Sequence, residues 1–489
     1  MSKEFYKISL GKSEAEGEKQ SLYKYFFPTK AYLIAKGETN NRKLFYIGHR
    51  GAGKSALFNQ LVYEYSLGRN NIIIQMSPTQ YSYEVFKKME HNFFDIKAAY
   101  GVAWHYTLLI KIFFAISDYF ESHPQFKKNR DNVDCIKKYL KTNGYLEEGF
   151  GLSVLSGFLR KLDLSKINVK GGENKVIESD RQLAKHLNMK DVTAPLSALN
   201  NILATHPLYI FIDELDTGWN NTDEAKNFLI GLFTAVYEIN RINNIQVFVS
   251  LRQDMYDNLL NFLPNTEKMR DDMEFLSWDK QNLKSLLSKR ILSNLPDKFN
   301  EMYTDESLQI LFDNSGKVDE KVIDFIINHT MYRPREVIQF CNECLDEYVK
   351  RYNKPFQWLY TDMEIEDYGK KIDFEIVKNV EYKFSNYRLE DFCKEYDFEL
   401  PKIRFVLLRF EGCMEFFSKE EFFIKLEHIM LEFTDKFGID NWIGETELKA
   451  EKLMEILFKI GFIKIYVPSY NKYRAYYQTT ILNFDKVEK

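Results

Sequence analysis

Up to Asp279, short unbroken apolar runs alternate with longer stretches in which apolar residues recur at helical spacing. The runs are Leu44–Ile47, Ile72–Ile74 and then, in close order, segments within PLYIFIDELD (207–216), IQVFVSLRQD (245–254) and MEFLSW (273–278). Strands that are apolar at nearly every position are buried on both faces. Their alternation with helical patterns such as Ala225–Asn240 predicts a parallel sheet covered on both sides. A long, mostly helical stretch separates Ile74 from about Thr205, with a strand-like KINVKGG at 166–172. Beyond Asp279 the strand signal stops, and short amphipathic helices are expected at Gln281–Leu292, Lys321–His329 and Pro334–Lys350. The last part, roughly 386–489, has helical patterns at 401–410, 419–432 and 446–460, then FIKIYV, a turn at PSYNK and YRAYYQTT. Three helices followed by a two-stranded hairpin is the outline of a winged helix.

The pattern therefore predicts an α/β core over 1–278 with a helical insertion at about 85–205. A helical lid over 279–352 and a C-terminal helical and winged-helix domain over 353–489 follow. Two to four modules also suit a chain of 489 residues. Composition changes this picture little. At 45% hydrophobic and 28% charged the chain is globular, and Gly (22) and Pro (11) fall below their usual shares, as helix-rich structure requires. A net charge of −4 excludes a broadly basic nucleic-acid coat. Five cysteines imply no disulfide framework, and the polar N-terminus is unlike a signal peptide. The most apolar stretch, Gly101–Phe120, carries His105, Lys111 and Asp118, and reads as a buried helix. A soluble, cytoplasmic protein with no membrane span is expected.

Candidate chemistry begins where the first strand ends. Gly48-His49-Arg50-Gly51-Ala52-Gly53-Lys54-Ser55 fits G-x-x-x-x-G-K-[ST] and lies between a strand and a helix that starts through Ala56. Glycines let successive backbone N–H groups curl around a phosphate, and the following helix adds its dipole and orphan donors. In such a loop Lys54 reaches the β- and γ-phosphates of ATP, and the Ser55 hydroxyl binds Mg²⁺. The apolar strand Tyr209–Ile212 ends at Asp213-Glu214. A carboxylate at that tip holds the metal (Asp213), and its neighbour polarises the attacking water (Glu214).

With these residues the chain resembles AAA+-type P-loop ATPases of the additional-strand class, particularly the Orc/Cdc6-like and STAND-like branches. The resemblance lies in GHRGAGKS, IFIDELD, FVSLR (248–252) and MYRPREVIQF (331–340). GHRGAGKSAL with the acidic N-terminal stretch is also similar to a group of bacterial ATPases, some linked to antiphage defence. The resemblance implies a polar sensor at the strand end occupied by Ser250 and Arg252. Orc-like proteins normally have Asn there, so Arg252 inclines the comparison towards STAND-like enzymes. It also implies that Arg335 starts a lid helix as a second sensor, behind Pro334 at the first turn. Arg270 falls where the family often places an arginine finger, and the aromatics Tyr23, Tyr25, Phe26, Phe27 and Tyr32 where it often contacts adenine. For both sets a loop charge or ordinary packing is the competing reading.

The remaining features carry less. Cys341 and Cys344 form a lone CxxC within a helical pattern and read as core residues. Residues 401–489 hold 14 Lys+Arg and 14 Asp+Glu, so DNA binding by the winged helix has little charge behind it. The expectation is an ATP- and Mg²⁺-dependent ATPase, a switch or remodeller that assembles as a homo-oligomer and controls a protein partner. The alternative is a DNA-binding initiator or transposition-helper module using ATP as an assembly ligand.

Overall fold

A computed structural model describes residues 4–18, 21–39, 42–77, 96–143, 192–217, 219, 221–260, 262, 269–299, 301–313, 321–353, 357–360, 365–366, 370–397, 399–414, 416–438, 442, 450–467 and 472–475. The expected strand at 166–172 lies outside these residues, as do 85–95 and 144–191 of the expected insertion. The described residues divide into two compact units, one of 28–276 and one that joins 1–27 to 277–489.

In chain order the elements open with β1 (Glu4–Lys7), which belongs to the second unit. The first unit then runs α1 (Lys30–Lys36), β2 (Phe45–Gly48), α2 (Lys54–Ser66), β3 (Ile72–Met76) and α3 (Ile96–Ser122). After them come α4 (Arg130–Thr142), α5 (Thr193–Leu203), β4 (Leu208–Ile212), α6 (Asp223–Asn240), β5 (Ile245–Arg252), α7 (Gln253–Leu259) and β6 (Met273–Phe275). The five strands form one parallel sheet in the order β3-β4-β5-β2-β6. β5 thus lies between β2, which feeds the glycine loop, and β4, which ends at the acidic pair. Strand order reverses around β2, and in open α/β sheets ligands bind in the crevice at such a point, beyond the strands' carboxyl ends.

Burial explains the strands. β2 is buried at every position and β5 at all but Arg252, as expected for central strands, whereas edge strand β3 exposes Gln75. On one side Phe58 of α2 meets Phe211 and Phe248 edge-on, while those two rings stack 4.7 Å apart. On the other, Phe45 lies 4.6 Å from Phe233 of α6. β6 is shorter than its apolar run, because after Phe275 only one further ladder bond forms, from Leu276 N to Ile47 O.

The apolar segment 101–120 is part of α3 and packs on α6: Trp104 sits 4.8 Å from Phe228 and donates its indole N–H to the Phe228 carbonyl. Gly231 permits that approach, since a Cβ there would lie 2.5 Å from Tyr100 Cβ. No described helix is long and apolar enough to cross a membrane.

The second unit contains α8 (Lys280–Leu292), α9 (Thr304–Leu311), α10 (Val322–Asn328) and α11 (Pro334–Tyr352). Next come β7 (Gln357–Tyr360), β8 (Ile365–Glu366) and α12 (Phe374–Tyr396). The chain then forms α13 (Ile403–Leu408), α14 (Lys419–Phe437), α15 (Ala450–Lys459) and an antiparallel hairpin of β9 (Ile465–Val467) and β10 (Lys472–Arg474). A core around Leu287, Phe312, Ile326, Phe340 and Val377 holds α8–α12 together, and another around Phe392, Ile403, Leu426, Phe433 and Leu457 holds the C-terminal helices.

Residues 1–27, which the sequence pattern assigns to the core, pack in this second unit. β1 pairs antiparallel with β7, and Glu18 makes a buried ion pair with Arg290 at 3.0 Å. The reason is that β1 finds its hydrogen-bonding edge in a strand formed far along the chain.

Candidate phosphate-binding site

β2 ends at Gly48, where a side chain would be crowded: a Cβ would stand 3.2 Å from both Ala52 Cβ and Leu276 Cβ. The chain then turns through His49 and the exposed Arg50. Gly51 (φ 80°) and Gly53 (φ 94°) take left-handed conformations that residues with a Cβ disfavour. Ala52 N donates to His49 O at 3.1 Å, closing the turn. α2 starts at Lys54, with Ser55 and Ala56 half-buried in its first turn. The loop is a concave run of main chain at a helix N-terminus, the arrangement that receives phosphate oxygens.

The Lys54 ammonium folds back onto the loop and donates to the carbonyls of Gly48 (2.8 Å) and His49 (3.1 Å). Loss of hydration pushes its pKa down to about 8; Asp213, Asp216 and Asp254 oppose the shift and Arg252 adds to it. The acidic strand end and the lysine are therefore electrostatic neighbours, although β5 separates their strands.

At the tip of β4, Asp213 N donates to Met76 O (3.0 Å), and Glu214 N donates to the Asp213 carboxylate (2.9 Å). Glu214 is exposed and its backbone is left-handed (φ 60°). Ser77, one residue beyond β3, donates its hydroxyl to Glu214 Oε2 at 2.7 Å. Sequence pattern gives no warning of this contact, because it depends on β3 pairing beside β4.

Arg252 ends β5 level with Gly48 of the neighbouring strand. Its guanidinium forks onto Asp254, at 3.0 and 2.7 Å, and reaches Asp216 at 3.5 Å. Ser250 pairs with Tyr46 and is buried two residues below that tip. Arg270 is exposed and interacts with the Tyr256 hydroxyl.

Lys54, Asp213, Glu214 and Arg252 thus gather at one end of one sheet. Arg335 belongs to the other unit, half-buried in the first turn of α11. Just before it, Tyr332 is left-handed (φ 53°) and Arg333 is buried against Glu395 (3.1 Å) and Glu336 (3.6 Å).

The early aromatics have packing partners: Tyr32 binds Glu64, Tyr25 lies under Arg290 and Phe27 meets Trp278. Cys341 and Cys344 are buried on α11, where loss of hydration raises both thiols. Among the described residues no three His, Cys, Asp or Glu side chains are grouped to hold a metal by themselves. Ser55 and Asp213 are hard oxygen donors of the kind Mg²⁺ takes, and a phosphate would complete such a set. On α15, Lys452 and Lys459 both pair with Glu455, at 2.9 and 2.6 Å, so neither presents an isolated positive charge.

Comparison with known proteins gives likenesses of three kinds. Residues 281–358 match the family described as the FunZ-associated C-terminal helical domain. Over 470 residues the chain is 24% identical to the transposon gamma-delta 80.3 kDa protein of Escherichia coli (strain K12), covering 93% of this chain and 61% of that protein. The chain therefore spans about three-fifths of the curated relative's length. The solved structure of the Aeropyrum pernix ORC2 protein (ADPNP–ADP complexes) is similar at 12% identity and a TM-score of 0.38, over 96% of this chain and 91% of that one.

Proposed function

We propose that this chain binds ATP with Mg²⁺ at residues 48–56 and hydrolyses it, working as a nucleotide-driven switch that controls a partner. One observation carries the reading: the glycine loop that follows β2 and Asp213 at the tip of β4 lie at the same end of one parallel sheet, with only β5 between their strands. Glycine-built main chain for the phosphates, a lysine for their charge and a strand-end carboxylate are what phosphoryl transfer to water uses.

Ser55 and Asp213 would hold Mg²⁺, which when bound neutralises charge on the terminal phosphates. Glu214, held by Ser77, would orient a water molecule and accept its proton as the water attacks the γ-phosphorus. The Lys54 ammonium would leave the carbonyls of Gly48 and His49 for phosphate oxygens. Arg252 would report whether the γ-phosphate is present. Only contacts that differ between ATP and ADP can shift a conformational equilibrium.

Calorimetry on Lys54→Ala tests the reading. The expected result is loss of tight ATP binding, and undiminished affinity refutes it.

A second reading, a DNA-transaction helper that uses ATP for assembly, draws on the transposon in the E. coli relative's name and on the three-helix and hairpin order of α13–β10. The pairing of Lys452 and Lys459 with Glu455 weighs against DNA contact through α15. Light scattering with ADP and with a non-hydrolysable ATP analogue, each with and without duplex DNA, separates the two. Assembly driven by the analogue alone favours the switch, and assembly that requires DNA favours the helper. A role in bacterial defence would be one setting for the switch.

A further inference from the structure

Arg252 is not idle in this structure. Its Nε and Nη2 grip the two oxygens of Asp254 at 3.0 and 2.7 Å, and its Nη1 reaches Asp216 at 3.5 Å. The Arg252 and Asp254 side chains are only 14% and 19% exposed, so water and salt screen the fork weakly. Arg252 is level with Gly48, and both it and Asp254 lie within electrostatic reach of Lys54. The arginine at the mouth of the loop therefore already has a bidentate carboxylate ligand. A guanidinium presents its paired donors in a rigid planar fork. A phosphate that takes the fork's Nε–Nη2 edge must displace Asp254.

We propose that Asp254 competes with the nucleotide's terminal phosphate for Arg252 and so sets how strongly the site prefers a triphosphate over a diphosphate. This rests on the nucleotide-binding reading above. With ADP the chain of phosphates ends one group short, and Arg252 stays on Asp254. With ATP the γ-phosphate takes the fork and Asp254 is released to solvent. Apparent ATP affinity is then reduced by the fraction of molecules in which Arg252 is held by its carboxylate. The contrasting arrangement is a permanent brace, in which Arg252 and Asp254 only fix the corner between β5 and α7.

The test is a double-mutant cycle on the full chain with Mg²⁺, measuring dissociation constants for ADP and a non-hydrolysable ATP analogue by calorimetry. The proteins are wild type, Asp254→Asn, Arg252→Gln and the double variant. Asp254→Asn is expected to tighten the analogue about tenfold and ADP by less than about threefold. In the Arg252→Gln background the same change is expected to alter analogue binding by less than about twofold. An unchanged ATP-to-ADP ratio in Asp254→Asn, or the same gain with and without Arg252, overturns the exchange. The latter would show that removing a nearby negative charge acts alone.

Two further measurements keep the proposal open to refutation should Asp254→Asn fold poorly. Asp216→Asn loosens only the longer contact and is expected to give a smaller shift of the same sign. In the wild type, the Arg252 Nε–H resonance is expected to move with the analogue and not with ADP; a resonance unmoved by both overturns the proposal. Wild type that binds neither nucleotide defeats both readings, whereas binding with an additive cycle defeats the exchange alone.

Discussion

Glu214 holds a left-handed backbone at φ 60°, where a residue with a Cβ is strained by roughly 1–2 kcal/mol. Glycine would remove that strain at an entropic cost of about 0.5–1 kcal/mol. Glu214→Gly is thus expected to raise stability by about 0.5–1 kcal/mol while abolishing turnover. Thermal melts and phosphate release, measured together, check both halves.

Lys54 yields a pH prediction. Desolvation holds its folded pKa at about 8, below its ordinary value of 10.5, so the fold disfavours the charged form. The resulting destabilisation is fully present below about 8 and fades as pH rises towards 10.5. Lys54→Met is expected to be more stable than wild type at pH 7, with the gap narrowing at pH 9 and above in denaturant titrations. On the proposed reading nucleotide binding requires the ammonium, so wild-type ATP affinity is expected to fall as pH rises through about 8. At this scale the loop and the acidic pair were legible, because glycine spacing and a strand ending in two acids are local signals. Ser77 and Asp254 were not. Ser77 meets Glu214 only because β3 and β4 pair, and Arg252 meets Asp254 only because the chain turns from strand to helix between them.

Among the elements, α11 has an unusual start. Glu336 accepts from Met331 N (2.7 Å) and from Arg388 of α12 (2.6 Å), while Arg333 bridges to Glu395 at the far end of α12. Burial alone would lower the Arg333 guanidinium, but Glu395 and Glu336 more than offset it and raise it. Removing one member of a buried ionic set leaves the others uncompensated. Arg333→Met is therefore expected to cost about 3–5 kcal/mol, with much of that recovered when Glu395→Leu is added. Urea denaturation of the single and double variants measures the difference.

Of the helices between 280 and 396, α8, α10 and α11 were readable from periodicity, with limits such as Pro334–Tyr352 against an expected Pro334–Lys350 that differ only at the frayed ends, whereas α9 and α12 were not singled out. The β1–β7 pair was not readable. EFYK and QWLY are four-residue segments without an alternating pattern, and what defines them is hydrogen bonding to each other. The order β3-β4-β5-β2-β6 was equally invisible, since strand signals give sequence order and not adjacency.

For the whole molecule, the main fact is that the sheet unit interrupts the other one: the chain leaves the second unit after Phe27 and returns at Ser277. Deleting residues 1–18 removes β1 and deprives Arg290 of its buried carboxylate. Hydrogen exchange is expected to show lost protection in α8 and β7.

The same interruption has a consequence during synthesis. Glu4 pairs with Tyr360, so β1 must wait for a partner made 356 residues later, from position 4 to position 360. At ribosomal speeds of about 5–20 residues per second the wait is roughly 20 to 70 s. In that interval the five-stranded sheet can emerge and close. β1 meanwhile leaves the exit tunnel with an unsatisfied hydrogen-bonding edge.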